Sequence, residues 1–181
     1  MDLSVVTTSY NRHENLLITL KSIYKSTNQK TDVHILIEPN SEEKSLPKRT
    51  EINNFKDKLN IFIHSNKNKL GCDESILRSF ELAKSKWILF LGDSKPLRKN
   101  AFEIINKQIE KFTNSKAHYF LKDSNISTIK EVNSIKQLLQ SGIDLGDFIL
   151  GGNFLISNDL INQYIKFAYR VVTSRIGLTA M

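Results

Sequence analysis

The chain has 181 residues, of which 40% are hydrophobic and 25% are charged, and this composition suits one soluble globular domain with a continuous core. Its single cysteine, Cys72, excludes an internal disulfide, and the N-terminal residues lack the basic and apolar segments of a signal peptide. The formal net charge of +7 favours anionic partners. The sequence has no dense block of basic residues interleaved with aromatic residues, so nucleic-acid binding is not predicted.

Short apolar runs alternate with amphipathic helical patterns along the first two thirds of the chain, which is typical of βα units. The sequence predicts strands over residues 3–8, 33–37, 59–63 and 87–91. It predicts helices around residues 16–24, 49–58, 76–83 and 104–112. Asn11 and Glu14 have the spacing of a capping box at the start of the first helix. These patterns predict an α/β fold with a mostly parallel, Rossmann-like central sheet flanked by helices, and place the wholly apolar strand 87–91 at its centre.

The pattern is less regular after Lys116. Short strands are predicted at residues 119–121, 148–150 and 154–156, and helices at residues 128–139 and 160–172. The longest apolar run, residues 87–91, is too short to cross a bilayer, so we expect a protein that is soluble or bound at most to a membrane surface.

The carboxyl ends of parallel strands are where open α/β sheets bind ligands. The predicted loops there offer an aromatic side chain for stacking, acids for base or ribose contacts, and basic side chains for phosphate, in residues 8–12, 38–41, 64–69 and 92–96. This composition suits a nucleoside diphosphate. The glycine patterns of a P-loop and of a dinucleotide-binding Rossmann fold are both missing from the sequence, so neither site is predicted.

The segment from Ser4 to Arg12, S-V-V-T-T-S-Y-N-R, resembles the opening strand and loop of family 2 glycosyltransferases. A second strand that ends in an acid follows, then Asn68-x-x-Gly71, and then a run from Ala83 that ends in W-I-L-F-L-G-D and is similar to the family's buried strand and acidic motif. The resemblance covers about the first 115 residues, with a fainter likeness at residues 151–156. It implies the GT-A fold.

The same resemblance implies roles for residues at the strand ends. Tyr10 and its neighbours would line the nucleobase pocket, and Glu38 would stand where the family has an aspartate that accepts from the base. Asp93 would hold Mn²⁺ or Mg²⁺ against the sugar diphosphate. Because Ser94 and Lys95 stand where carboxylates are frequent, we expect weak metal dependence, with Lys95 neutralising part of the phosphate charge. The predicted donor site comprises Thr8, Ser9, Tyr10, Arg12, Glu38, Lys69, Gly71, Asp93 and Lys95.

Structural interpretations compete with these roles. Tyr10 is also typical of an aromatic residue at a strand end, Asn11 of a helix cap, and Asp93 of a turn before Pro96. Lys69 by itself also suits a solvated loop. The four histidines have no metal-ligand spacing, so the sequence assigns none of them a role.

The function implied is transfer of a sugar from a nucleotide donor, with UDP- and GDP-sugars favoured, to a saccharide or lipid-linked saccharide acceptor. The product would be a bacterial surface polysaccharide (capsule, O-antigen or lipooligosaccharide), made in the cytoplasm or at the inner face of the membrane if the last helix contacts lipid. Two alternatives stay open. One is a catalytically degenerate GT-A domain that acts as a binding or partner subunit, and the less favoured one is a basic nucleic-acid-binding α/β protein.

We expect residues 1–115 to form the nucleotide-sugar-binding subdomain and residues 116–181 a partial acceptor-side region packed on the same sheet. An inverting transfer needs a general base, most often a carboxylate, and the sequence offers Asp144, Asp147 and Asp159 without selecting one. Because only about 25 residues follow the segment 151–156, we expect the chain alone to have little transferase activity.

Overall fold

The computed structural model describes residues 2–39, 47–111, 113–115, 117–119 and 153–173. The strands in these residues are β1 (Leu3–Ser9), β2 (Thr31–Ile37), β3 (Leu59–Ser65), β4 (Trp87–Leu91), β5 (Ala117–Tyr119) and β6 (Asn153–Ser157). The helices are α1 (His13–Ser26), α2 (Arg49–Asn53), α3 (Cys72–Leu82), α4 (Ala101–Lys111) and α5 (Asn158–Thr173).

The six strands form one sheet in the order β3-β2-β1-β4-β6-β5. Strands β1 to β4 are mutually parallel, so their carboxyl ends lie at one edge, which we call the carboxyl edge. Strand β6 runs antiparallel to both β4 and β5. All five residues of β4 are buried, and this strand lies inside the sheet between β1 and β6. The predicted α/β fold with a mostly parallel sheet is therefore confirmed.

The core consists of two apolar layers, one on each face of the sheet, because alternate residues of a strand point to opposite faces. Val5 and Leu89 pack in the layer that α1 and α4 cover. Val6, Ile88 and Phe90 pack in the layer that α3 and α5 cover. Full burial of such a side chain contributes about 1.5–3 kcal/mol, so the helices are held to the sheet mainly by these layers. None of the described helices is long and apolar enough to cross a bilayer.

The start of α1 differs from the prediction. The capping box at Asn11 and Glu14 is wrong, because the residue at the N-cap is Arg12, which makes no side-chain capping hydrogen bond. Asn11 instead takes a left-handed backbone conformation with φ of 53°, which asparagine tolerates better than most residues. The turn at Asn11 allows the chain to leave β1 and enter α1 within three residues.

Other boundaries shift by a few residues. Helix α2 ends at Asn53, earlier than the predicted end at residue 58, and β5 begins at Ala117, two residues before the predicted start at residue 119. The predicted helix at 128–139 and the predicted strand at 148–150 lie outside the described residues.

Candidate functional site

Asp93 is the centre of a polar cluster that joins the ends of β1 and β4. It follows β4 by two residues, and 8% of its surface is exposed. The hydroxyl of Ser9 donates to Oδ2 of Asp93 over 3.1 Å, and Nη1 of Arg12 donates to Oδ1 over 3.3 Å. The two oxygens of one carboxylate thus accept hydrogen bonds from the last residue of β1 and from the loop after it.

Three buried hydroxyl residues of α1 hold the segment that follows β4. They lie three and four residues apart on the helix face that packs against the sheet, which gives them a common direction. They are Thr19, which donates to the backbone oxygen of Asp93 over 2.7 Å, Ser22, which accepts from the N–H of Leu97 over 2.9 Å, and Ser26, which accepts from the N–H of Phe102 over 3.2 Å. The sequence interpretation missed these residues, although hydroxyls at helical spacing within an apolar face were a detectable signal.

Glu38 connects the end of β2 to the start of α3. Its Oε2 accepts from the backbone N–H of Leu70 over 3.1 Å, and its Oε1 accepts a short hydrogen bond from the hydroxyl of Ser75. The structure thus shows the Glu38 carboxylate fastening the loop between β3 and α3. The predicted contact of Glu38 with a nucleobase stays a prediction.

The other predicted donor-site residues follow the same strands. Tyr10 is 50% exposed directly after β1, and Thr8 is half-buried near the end of that strand. Lys69 and Lys95 are exposed in the loops after β3 and β4, and Gly71 is the N-cap of α3. The structure therefore places all nine residues at the carboxyl edge, and it brings Ser9, Arg12 and Asp93 into direct contact.

The residues around Asp93 do not fit a divalent cation as they are arranged. Mn²⁺ and Mg²⁺ take several oxygen ligands, but both carboxylate oxygens of Asp93 already accept from Ser9 and Arg12. Ser94 and Lys95 are the next residues, and both are exposed. Within the described part of the chain, no group of three or more His, Cys, Asp or Glu side chains could hold a metal ion.

Of the three candidates for a general base, Asp159 lies within the described residues. The pairing of Leu91 with Asn153 and of Trp87 with Ser157 shows that β6 ends at the amino end of β4. Asp159, two residues beyond β6, therefore lies at the edge opposite Asp93, at least the length of β4 away, or about 13 Å. This position does not suit a base acting at the carboxyl edge. Asp144 and Asp147 lie outside the described residues.

A histidine pair lies on the α3 side of the sheet, and no spacing in the sequence indicated it. Nδ1 of His34 on β2 is 3.2 Å from Nε2 of His64 on β3, and the ring of His34 also stacks on Phe62 with centroids 4.9 Å apart. Burial lowers the pKa of His34, and the neighbouring His64 lowers it further. Burial also lowers the pKa of His64, and the guanidinium of Arg78 adds to that effect. Both imidazoles are therefore predominantly neutral near pH 7.

Comparisons with known proteins bear on the family and the fold. The model of the family described as glycosyl transferase family 2 matches residues 4–125, which is more than half of the chain. Among curated proteins, none matches the sequence.

Similar solved structures share the fold at low sequence identity. S. aureus TarS 1-349 has 16% identity and a TM-score of 0.66, over 90% of this chain and 49% of that one. TarS 1-349 in complex with UDP-GlcNAc has 14% identity and a TM-score of 0.64, over 90% of this chain and 47% of that one. The mannosyltransferase PcManGT from Pyrobaculum calidifontis in complex with GDP-Man and Mn²⁺ has 9% identity and a TM-score of 0.59, over 90% of this chain and 46% of that one. The predicted GT-A fold is confirmed, and the chain spans about half the length of these proteins.

Proposed function

The chain belongs to glycosyl transferase family 2, and from this premise we propose that it binds a nucleoside diphosphate sugar at the carboxyl edge for transfer of the sugar to an acceptor hydroxyl. The observation that carries the proposal is the cluster of Ser9, Arg12 and Asp93, which unites the ends of the two central parallel strands beside the exposed ring of Tyr10. Such an edge is where open α/β sheets bind nucleotides.

Different exposed side chains at this edge would bind the base and the diphosphate of a nucleotide-sugar donor. The half-exposed ring of Tyr10 offers a face on which a nucleobase can stack. The exposed guanidinium of Arg12 is paired with the buried carboxylate of Asp93, and Lys95 is exposed two residues after Asp93. Both cations favour a diphosphate. Cations already in place would also stabilise the charge that grows on the departing nucleoside diphosphate, which is the main electrostatic need of glycosyl transfer.

The favoured donors are UDP- and GDP-sugars, because TarS and PcManGT were crystallised with UDP-GlcNAc and GDP-Man, respectively. The acceptor that we propose is a saccharide or lipid-linked saccharide of a bacterial surface polysaccharide. Residues 1–115 would bind the donor, and residues 116–181 would form part of the acceptor side.

A contact with the cytoplasmic face of a membrane belongs to the same proposal. Helix α5 exposes the apolar rings of Tyr164 and Phe167 at 50% and 57%, three residues apart on the helix. The cationic side chains of Lys166 and Arg170 are exposed near them. Aromatic rings beside cations suit an anionic lipid surface.

A thermal-shift panel of UDP-, GDP-, CMP- and dTDP-sugars tests the donor proposal, because a ligand that binds only the folded chain raises its melting temperature. We expect UDP- or GDP-sugars to raise it, and Tyr10→Ser to reduce the effect. Tyr164→Ser is the matched control, since Tyr164 is also 50% exposed but lies on α5. No shift with any nucleotide sugar, together with salt-dependent binding of DNA or RNA, would replace the proposal with the nucleic-acid alternative.

The second candidate function is donor binding without transfer, as in a degenerate domain or partner subunit. Two observations favour it. The carboxylate of Asp93 accepts hydrogen bonds from Ser9 and Arg12 of the chain itself, and Asp159 lies at the opposite edge of the sheet. Binding and turnover separate the two candidates. Donor binding by calorimetry without sugar transfer to any oligosaccharide or lipid-linked acceptor supports the degenerate domain, whereas turnover near one per second identifies a working transferase.

A further inference from the structure

The ion pair between Arg12 and Asp93 combines a buried carboxylate with an accessible guanidinium. The side chain of Asp93 is 10% exposed, whereas that of Arg12 is 58% exposed. Among the described contacts, Arg12 uses only Nη1 to reach Asp93. A guanidinium has five N–H donors in a planar fork that matches phosphate oxygens. The rest of the guanidinium is therefore accessible at the carboxyl edge, and its contact with Asp93 holds its positive charge in place.

The part of the carboxyl edge between the end of β2 and the start of α3 is acidic. The carboxylate of Glu38 accepts from the backbone N–H of Leu70, and that of Glu74 accepts from the N–H of Gly71 over 3.1 Å. Asp73 lies in the first turn of α3 as well. These carboxylates match the positive end of the helix dipole and stabilise α3, but they repel a diphosphate. The charges favour a diphosphate near Arg12 rather than at the start of α3.

The local geometry around β4 adds a second cation on the Arg12 side. Lys95 is exposed, and its backbone N–H donates to the oxygen of Gly92 over 3.0 Å in a tight turn. Its Cγ lies only 3.3 Å from where a Cβ at position 92 would be, so the stem of Lys95 folds back over this glycine. Lys95 is thus a second exposed cation in the turn that contains Asp93.

We propose that the guanidinium of Arg12 takes the place of a divalent cation in this chain, so that donor binding needs no metal ion. The inference rests on the proposed function, since it concerns the diphosphate of the same donor. Asp93 is the positioning residue in this arrangement: its carboxylate orients Arg12, and Arg12 contacts the phosphate oxygens. The same ion pair keeps Oδ1 of Asp93 from a metal ion, because the guanidinium both fills that position and repels cations.

Calorimetric titration of the full chain with UDP and with GDP, each in EDTA and in manganese chloride, tests the inference. The wild-type affinity should change less than about threefold between the two conditions, and Arg12→Gln should lose about tenfold or more in EDTA. Manganese should restore much of the loss in Arg12→Gln, because that variant frees Oδ1 of Asp93 for the cation. Arg12→Lys should retain only part of the wild-type affinity in EDTA, since its ammonium supplies the charge but not the planar fork of donors.

Arg78→Gln is the matched control, because Arg78 is also an exposed, ion-paired arginine but lies on α3 with Glu81 as its partner, 2.8 Å away. It should bind both nucleotides as the wild type does. A wild-type gain well beyond tenfold with manganese, or an Arg12→Gln variant equal to the wild type in EDTA, would overturn the inference while leaving the proposed donor intact. Absence of nucleotide binding by the wild type in both conditions would instead overturn the proposed function and the inference together.

Discussion

The hydroxyl of Ser9 donates a 3.1 Å hydrogen bond to Oδ2 of Asp93, although the two residues are 84 positions apart in the sequence. Removal of this donor in Ser9→Ala leaves one oxygen of a buried carboxylate without its partner. We expect the free energy of unfolding to fall by about 1–3 kcal/mol and nucleotide affinity to fall with it, because Asp93 then holds Arg12 less firmly. Urea denaturation and calorimetry with UDP and GDP measure both effects, and a stable variant with unchanged affinity would contradict this role for Ser9.

The hydroxyl of Thr19 should stabilise the loop after β4. Thr19→Val keeps the shape of the side chain but leaves the backbone oxygen of Asp93 without its 2.7 Å donor, so we expect a loss of about 1–2 kcal/mol in urea denaturation. Thr7→Val is the matched control, because Thr7 is equally buried and its hydroxyl has no hydrogen-bond partner among the described residues. That control should be neutral or stabilising, and equal losses in the two variants would argue against the hydrogen bond.

Glu38 and Ser75 should be energetically coupled across the start of α3. Glu38→Gln and Ser75→Ala each weaken the hydrogen bond between the two side chains, so each should destabilise the chain by about 1 kcal/mol. The double variant should lose clearly less than the sum of the single losses, because both changes act on the same interaction. A double-mutant cycle in urea measures the coupling, and strictly additive losses would show that the two residues act independently.

The histidine pair predicts a fall in stability at mildly acidic pH. The pKa values of His34 and His64 are lowered in the folded chain, chiefly by burial, so the unfolded chain takes up protons first as the pH falls below about 6.5. Stability should therefore decrease from pH 7.5 towards pH 5. Asp32 moderates the effect at His34 by raising its pKa, whereas Arg78 strengthens it at His64.

Urea denaturation of the wild type and of His64→Gln across this pH range tests the histidine prediction. The variant should have a shallower pH dependence, since it lacks one of the two titrating rings. A comparison at pH 8, where both imidazoles are neutral in the folded and unfolded chains, isolates the packing effect of the substitution. A wild-type stability that stays constant between pH 7.5 and pH 5.5 would contradict the prediction.

The aromatic face of α5 predicts binding to anionic membranes. The wild-type protein should co-sediment with vesicles of phosphatidylglycerol and phosphatidylcholine, and added salt should weaken this binding. The double variant Tyr164→Ser/Phe167→Ser should bind less. The control Tyr10→Ser/Ile18→Ser removes two side chains of similar exposure, 50% and 54%, from the loop after β1 and from α1. Equal losses in the two double variants would contradict a specific contact through α5.

The sequence by itself determined the order and type of the elements in residues 2–39 and 47–111, and the edge at which polar side chains gather. Strand and helix periods are local properties, so the wholly apolar run Trp87–Leu91 predicted a central strand directly. Parallel strands leave a sheet at one edge whatever their order. The segments that contain Tyr10, Glu38 and Asp93 could therefore be placed together without coordinates.

Only the tertiary structure decided which side chains meet at that edge. The partners of Asp93 lie 81 and 84 positions away in Arg12 and Ser9, and no sequence period connects residues so far apart. The pairing of His34 with His64 likewise depends on the register of β2 and β3. The direction of β6 was also decided by the tertiary structure, because its local sequence pattern suits either direction. Strand β6 lies antiparallel to β4, and Asp159 therefore lies at the opposite edge. Hydrogen bonds and ion pairs depend on distances of a few ångströms, and those distances follow from how the chain packs rather than from spacing along it.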